Sequence, residues 1–447
     1  MFKSLIKKGK EKKMKKLIAF AVALLFLSVT GIAAAYDVQM SGSYFVRGTY
    51  QKNAEEGDVN DGLQSIDESG TMYYDHELDL KLNWKIDDNT IIYSQIEMRD
   101  EAWGSNNVQD YSYSTNPTSY KAASDNEKDL DDNIIVEKVY VWHKFANGHE
   151  TKLGLMPSGA WATSFQDDAS EVYRVRYDIP TDAVRIIGIL QKYYSGESGD
   201  ASNGQGESDD QDAYILGFLA KAGDINVKPL FAYANIGNIK DVLKTNIGFD
   251  GTFGAIGFES EFGVVDSNFE AAGTQDSRTY GAYANLWYAS GPVQAGILGA
   301  FGSYDDDANA AHGFGGDFDA GGAMIMGVDA GFGGVTVAAD GTVSGTVNDN
   351  LAAGRLVALY ADYDINDKLS IGGYAGFAKC GIDDADNDEW NGAKVWEISA
   401  DAAYKITDNI KYDVGAGVAQ LKLGKAPAGV SDPEKAYRLF HRLTVNF

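Results

Sequence analysis

The sequence predicts an all-β protein, a transmembrane antiparallel β-barrel with an even number of strands. Three observations predict it: apolar and polar side chains alternate along many segments, short turns alternate with long polar connections, and a final amphipathic strand ends in Phe447. After residue 35 no apolar run reaches the roughly 18 residues that a transmembrane helix needs. Only a closed barrel could then span a membrane, because lipid satisfies no backbone hydrogen bonds.

The N-terminal residues predict a secretory signal peptide. Lys15 and Lys16 precede an apolar run over residues 17–29, and Ala33-Ala34-Ala35 follows. A basic start, a short apolar core and small residues at the end are typical of a cleaved export signal. We therefore expect residues 1–35 to be removed, with translation starting at Met14, and residues 36–447 to form a single barrel domain.

The composition narrows the class of protein. The formal net charge of −27 argues against binding to nucleic acid or docking on anionic phospholipid, and it favours a surface that meets cations. One cysteine, Cys380, cannot form an internal disulfide. Abundant Gly and Tyr with only 7 Pro suit long strands whose ends lie at an interface.

Several segments show the period-two alternation of strands. Between residues 72 and 86 the apolar face carries Leu78, Leu80, Leu82, Trp84 and Ile86, and the polar face carries Asp75, Glu77, Asp79, Lys81, Asn83 and Lys85. Residues 242–253 and 394–406 follow the same pattern, which a helix would scatter. Charged residues recur on one face of these segments, and burying them in a small, filled barrel would be costly. A barrel of at least about 16 strands encloses an aqueous channel, which would keep these charges in water.

The connections between strands alternate in length. The short turns are at residues 87–89, 147–148, 180–181, 223–224, 290–291, 366–367 and 407–409, with less obvious turns near Gly254 and Gly333. The long polar connections are at residues 51–71, 101–132, 195–212, 267–277, 305–321 and 381–393. This alternation predicts short periplasmic turns and long extracellular loops. The count is 20 strands, within a range of 16–20, and we expect a bulge or strand end at Pro229.

The chain ends and a central stretch carry further motifs. The last strand ends in Phe447, as in the outer-membrane assembly signal, and residues 37–50 make a matching first strand that would pair with it. Residues 138–178 include Lys152-Leu153-Gly154-Leu155-Met156-Pro157. With these motifs the chain resembles bacterial porins, in particular the homotrimeric outer-membrane porins of sulfate-reducing bacteria, most specifically at residues 138–178. The resemblance implies that the third loop, after the fifth strand, folds into the lumen and narrows the pore.

A pore constriction would combine carboxylates on the inserted loop with arginines on the wall. The candidate residues are Asp167, Asp168, Glu171, Arg174, Arg176, Arg47, Arg99, Arg438 and Arg442. The two arginines that follow the loop alternate with apolar residues, so they should point inward, and barrel closure should bring Arg47 beside the last strand. Opposed charges create a transverse field that sorts dipolar solutes. The alternative is that these are ordinary wall charges.

These features predict a passive diffusion channel of the Gram-negative outer membrane for ions and small hydrophilic solutes, with a weak cation preference from the net acidity. The alternative is a substrate-specific channel with a binding site in the lumen. We expect no enzyme and no cofactor, because no catalytic constellation or phosphate-binding motif is present. We also expect no metal site, since the acidic run 383–389 has Glu389 where a calcium loop needs Gly.

Three kinds of partner follow from this prediction. The barrel should contact outer-membrane lipid and lipopolysaccharide, and its last strand should be recognised by the barrel-assembly machinery. The resemblance implies a homotrimer, and no nucleic-acid partner is expected.

A soluble secreted β-protein remains the alternative fold, and extraction only by detergent would discriminate against it. An active transporter would need an N-terminal plug domain, but the strand pattern begins at Asp37.

Overall fold

The structure is a computed structural model. It describes residues 37–52, 71–98, 135–166, 171–194, 211–236, 240–269, 275–305, 310–311, 318, 323–325, 336–337, 343–344, 354–380, 392–422, 424 and 435–447. The expected signal peptide (residues 1–35) therefore lies outside the described residues. Within the described part of the chain, no helix has both the length and the apolar character to cross a membrane.

Eighteen antiparallel strands form one sheet. In chain order they are β1 (Asp37–Lys52), β2 (Thr71–Asp87), β3 (Thr90–Met98), β4 (Ile135–Lys144), β5 (Glu150–Pro157), β6 (Glu171–Pro180), β7 (Val184–Tyr194), β8 (Gln211–Ala222), β9 (Ile225–Ile236), β10 (Lys240–Phe253), β11 (Ile256–Phe269), β12 (Ser277–Ser290), β13 (Val293–Gly302), β14 (Gly354–Asn366), β15 (Leu369–Cys380), β16 (Lys394–Thr407), β17 (Ile410–Lys422) and β18 (Ala436–Asn446). Each strand pairs with the next in the chain, and short turns join them at one end of the sheet.

The sheet closes because the first strand pairs with the last. β1 pairs with both β2 and β18, with Arg47 opposite Arg442 on the β18 side. At the chain end Gly42 and Phe447 exchange two backbone hydrogen bonds, N to O distances of 2.9 and 3.0 Å. Closure leaves no open sheet edge among these strands, so all eighteen belong to a closed barrel. This confirms the predicted barrel and the pairing of the terminal strands.

The strand count of 20 was wrong by one hairpin. The prediction included a hairpin around Gly333, between the segments that became β13 and β14. In the structure Val293 to Phe301 pair directly with Tyr363 to Arg355, so this side of the barrel has no position for another hairpin. Residues 336–337 pair only with residues 343–344, in a separate two-stranded sheet. The even number and the range of 16–20 both hold.

Pro229 lies inside β9 rather than at a strand end. It stands opposite Ile247 of β10, so the strand continues through it. On the β8 side the register runs from the pair Gly217–Leu230 directly to Ala220–Val227, and the ladder is interrupted beside the proline. Proline has no N–H to donate, which accounts for the missing pairs. Instead of the expected bulge or strand end, the structure has a local gap in the hydrogen-bond ladder between β8 and β9.

The two faces of the barrel differ as the alternation predicted. Outward side chains are apolar and exposed, for example Leu216, Leu359 and Ile398. Inward positions carry all the buried charged side chains of the described residues, namely Asp75, Asp178, Glu261, Glu397, Asp413 and Arg438. A wall that is apolar outside and charged inside suits a bilayer on one side and water on the other.

A charge placed on the outer face should destabilise the barrel in a bilayer. Leu359→Lys is expected to lower the free energy of unfolding in lipid vesicles by about 2–4 kcal/mol, the cost of lysine near the bilayer midplane. Asp401→Lys, at an exposed inward position, should change it far less. Urea titration with a gel-shift readout measures both variants; equal destabilisation would show that the outer face does not meet lipid.

Candidate functional site

A segment after β5 enters the barrel interior. Residues 158–166, here called the first inner segment, contact inward-facing groups of β9 and β11, strands that are not neighbours of β5. The Trp161 indole donates to the Lys228 carbonyl at 2.9 Å, and the Lys228 ammonium donates to the Ala162 carbonyl at 3.2 Å. These contacts require the segment to cross the space that the barrel encloses.

Glu261 holds the middle of the first inner segment. Its carboxylate accepts the Thr163 backbone N–H at 3.1 Å and the Thr163 hydroxyl at 2.7 Å. The other carboxylate oxygen accepts the Asn246 amide at 3.0 Å. Glu261 is only 2% exposed. A buried carboxylate needs such donors to offset its lost hydration, so the segment and the wall stabilise each other.

Glycines at inward positions make room for the same segment. A Cβ atom at Gly217 would overlap the Trp161 ring, and one at Gly248 would overlap the Ala162 side chain. At Gly263, a Cβ atom would press against the Asn246 and Gln166 side chains. Because these glycines lie on β8, β10 and β11, they form a shallow track across the wall. The glycines at inward strand positions are the signal in the sequence for this contact, which the alternation of apolar and polar residues alone does not predict.

A second inner segment comes from the connection between β13 and β14. Its described residues are Phe318 and 323–325. The backbone N–H groups of Met324 and Ile325 donate to the Glu397 carboxylate at 2.6 and 3.0 Å, and the Arg438 guanidinium donates to the Met324 carbonyl at 2.8 Å. Glu397 is 1% exposed. A carboxylate on β16 and a guanidinium on β18 thus hold one short stretch of backbone.

The two inner segments meet at an aromatic junction. Phe165 of the first segment stacks on Tyr283 of β12 with ring centroids 5.9 Å apart. Phe318 of the second packs edge-on against both rings, at 5.8 and 5.5 Å. All three side chains are buried, and Leu298 and Ala358 of the wall belong to the same apolar cluster. This cluster ties both segments to the β12–β14 wall.

The predicted arginines have defined partners. Arg174 donates to the carbonyls of Pro157 and Ser158 at 2.8 and 2.6 Å, where the first inner segment begins. Arg176 forms two hydrogen bonds to the Asp178 carboxylate, at 2.7 and 2.9 Å. Arg174 thus contacts the inserted backbone, whereas Arg176 is neutralised by a carboxylate on its own strand.

The arginines at the barrel closure also lie inward. Arg47 donates to the Asp75 carboxylate, with a nitrogen-to-oxygen distance of 3.0 Å for Nε. Arg442 lies 3.6 Å from the Asp413 carboxylate, and Arg438 binds the second inner segment. These carboxylate partners were not predicted. Their signal was the acidic residue directly across the register, since Asp75 stands opposite Arg47 and Asp413 opposite Arg442.

The four remaining residues of the predicted constriction do not test the expected pairing of loop carboxylates with wall arginines. Asp167, Asp168 and Arg99 lie outside the described residues. Glu171 is exposed at the start of β6, opposite Pro157. The opposition of loop carboxylates to wall arginines therefore stays a prediction.

The inner wall carries two patches of opposite charge. On β2–β4, the carboxylates of Asp79, Glu97 and Glu137 lie within 4.8 Å of one another. Among the described residues, this is the group whose spacing would allow it to share a cation. The other patch, here called the basic patch, lies on β5–β7 and consists of Lys152, Arg174, Arg176 and Arg185.

Two acidic side chains only partly balance the basic patch. Lys152 stands directly opposite Arg176, which places like charges side by side. Asp178 accepts the Arg176 hydrogen bonds and lies 3.5 Å from Arg185, and Glu150 begins β5. The patch therefore keeps an excess of positive charge facing the interior, where it can attract an anionic group.

Comparison with solved structures supports the fold. The chain is similar to Acinetobacter baumannii OccAB1, with a TM-score of 0.53 and 11% identity over 91% of this chain and 97% of that chain. It is also similar to Pseudomonas aeruginosa OccK2 (OpdF) in complex with glucuronate, with a TM-score of 0.52 and 10% identity over 92% and 98%. Pseudomonas aeruginosa OpdK with vanillate gives 0.53 and 10% over the same shares. No family model and no curated protein matches the chain.

These likenesses define the fold that the chain shares with known outer-membrane proteins. One related structure is described as the outer membrane protein OpdK, with a TM-score of 0.51 and 11% identity. The match spans nearly all of each chain, so the whole barrel and not a fragment is alike. At identities near 11%, the likeness concerns the fold alone.

The anchoring role of Glu261 can be tested by channel recording. Glu261→Gln removes the charge that accepts both Thr163 bonds, each worth about 1.5–3 kcal/mol when the acceptor is charged. The first inner segment should then detach part of the time, and single-channel conductance should rise and become noisier.

Asp401→Asn is the control for this measurement. Asp401 is an exposed carboxylate at an inward position of β16. Among the described residues, no hydrogen bond links it to residues 158–166 or to the rings of the aromatic junction. An unchanged conductance in Glu261→Gln, or the same rise in both variants, would contradict the anchoring role.

Proposed function

We propose that this chain is a bacterial outer-membrane channel for passive diffusion of ions and small hydrophilic solutes. The observation that carries the proposal is the closed 18-stranded barrel with an apolar outer face and a charged inner face. A barrel of this size leaves an aqueous lumen. The two inner segments narrow that lumen where they contact β8–β12 and β16–β18.

The proposal includes the location and the assembly of the protein. The long connections face the cell exterior, the short turns face the periplasm, and residues 1–35 are removed on export. Phe447 acts as the recognition signal for the barrel-assembly machinery, and the barrel works as a homotrimer. Its fold likeness to outer-membrane channels supports the location; the trimer rests on the resemblance to porins of sulfate-reducing bacteria.

Conductance across a planar lipid bilayer tests the channel directly. The purified chain should produce stepwise, ohmic conductance in potassium chloride. Under a tenfold salt gradient the reversal potential should indicate a weak cation preference, because the net charge of −27 attracts cations at the mouths. If liposomes that contain the purified chain stay impermeable to small solutes, the proposed channel is refuted. A strong anion preference would refute only the predicted selectivity.

A second candidate function is a channel specific for carboxylate solutes. The basic patch on β5–β7 favours it, because an excess of inward cations can hold a carboxylate during passage. Two similar barrels have been solved with glucuronate and with vanillate, both carboxylates. Such a channel would need solute binding in the lumen, which a simple diffusion pore lacks.

Saturable block distinguishes the two candidates. If the channel is specific, glucuronate or vanillate should reduce potassium chloride conductance with a saturating concentration dependence. Lys152→Gln should then weaken the apparent affinity several-fold, since it removes one cation of the basic patch.

Lys81→Gln serves as the control, because Lys81 is an exposed cation on β2, outside the basic patch. Equal weakening in both variants would indicate a general charge effect. Block that never saturates would leave simple diffusion as the function.

A further inference from the structure

Four cations form one continuous row on the outer face of β14–β17. The register places Arg355 opposite Lys379, Lys379 opposite Lys394, and Lys394 opposite Lys422. All four side chains are exposed. They belong to the outward series, because the adjacent residues on these strands that face inward are buried, as Ala378 is at 0% exposure. We call these four residues the cationic row.

The cationic row lies just beyond a belt of aromatic side chains. One register position further into the barrel wall, Phe377 stands opposite Trp396. The Arg355 guanidinium lies 5.9 Å from the centre of the outward Phe301 ring, and the Lys435 ammonium lies 5.8 Å from that of Trp396. Aromatic belts mark the boundary between the apolar membrane and its headgroups. The row is therefore at headgroup height, at the end of the barrel with the long connections.

Like charges directly across a sheet repel each other, so such a row needs counter-charges. Two other outward cations at this end of the barrel each have a carboxylate on the neighbouring strand. Lys192 pairs with Asp212 at 3.3 Å, and Arg278 pairs with Asp266. Within the described part of the chain, no carboxylate forms an ion pair with the cationic row. In a protein of net charge −27, four adjacent cations are a local reversal of the overall charge.

We propose that the cationic row binds the phosphate groups of lipopolysaccharide in the outer leaflet of the membrane. The inference rests on the proposed function, because that function places this end of the barrel in the outer leaflet. Lysine and arginine are the side chains that proteins use to bind phosphate. Neighbouring strands lie about 4.8 Å apart, so the row spans roughly 14 Å and can contact more than one phosphate.

Binding of purified lipopolysaccharide to the full chain in detergent tests the proposal. The combined variant Lys379→Gln, Lys394→Gln, Lys422→Gln should bind on the order of 100-fold more weakly, at roughly five-fold per cation near a charged membrane surface. Lys192→Gln is the matched control. Lys192 already pairs with Asp212, so this substitution should leave the affinity for lipopolysaccharide unchanged. Native mass spectrometry counts the lipid molecules that remain bound to each barrel.

Two further arms identify the source of the phosphate. Wild-type protein should lose most of its affinity for enzymatically dephosphorylated lipopolysaccharide, and millimolar inorganic phosphate should fail to displace the intact glycolipid. Displacement by inorganic phosphate at low concentration would instead indicate a site for soluble anions and overturn the proposal. Equal binding of the phosphorylated and dephosphorylated forms would overturn it as well.

Folding and channel activity are measured on the same samples. The triple variant should keep its heat-modifiable gel mobility and its conductance, since the row faces away from the lumen. If it does not fold, Lys394→Gln alone should still weaken binding roughly five-fold. A chain that conducts normally but binds lipopolysaccharide without regard to the row refutes this inference and leaves the proposed function intact. A chain that binds through the row but does not conduct refutes the proposed function instead.

Discussion

Backbone hydrogen bonding between the first and the last strand is the interaction on which the rest of this structure depends. Without the β1–β18 ladder and the reciprocal bonds of Gly42 and Phe447, the sheet would have two open edges, and in lipid their N–H and C=O groups would have no partner. Closure turns a sheet with an apolar and a charged face into a tube. The charged face then lines the inside of the tube, and the number of strands, eighteen, sets the diameter of that tube.

The tube is too wide for its wall side chains to fill, and inserted backbone occupies part of it. Glu261 and Glu397 act alike, since each buried carboxylate accepts donors from a segment that is not part of the wall. Glycines on the inward faces remove the Cβ atoms that would block that approach. Phe165 and Phe318 then join the two segments to each other. Within the described part of the chain, a few polar anchors and one apolar contact thus hold this inserted backbone against the wall.

Charge is distributed very unevenly over this acidic chain. Inside, an acidic patch on β2–β4 and a basic patch on β5–β7 face the barrel interior. Outside, the cationic row stands at headgroup height, where its counter-charges would come from the membrane. Net charge predicts an overall attraction of cations, but it could not predict which surface carries which sign, because opposite faces of one strand meet different surroundings.

The sequence by itself determined the closed antiparallel barrel, most strand positions, the inward direction of Arg47, Arg174 and Arg438, and the pairing of the chain ends. These follow from alternation, which the backbone geometry of each strand fixes locally. Only the tertiary structure decided the strand number, where β13 pairs directly with β14, and the contacts across the lumen. Thr163 meets Glu261 from 98 residues away and Arg438 meets Met324 from 114. Such contacts depend on the diameter and stagger of the closed barrel, which no single segment of the chain encodes.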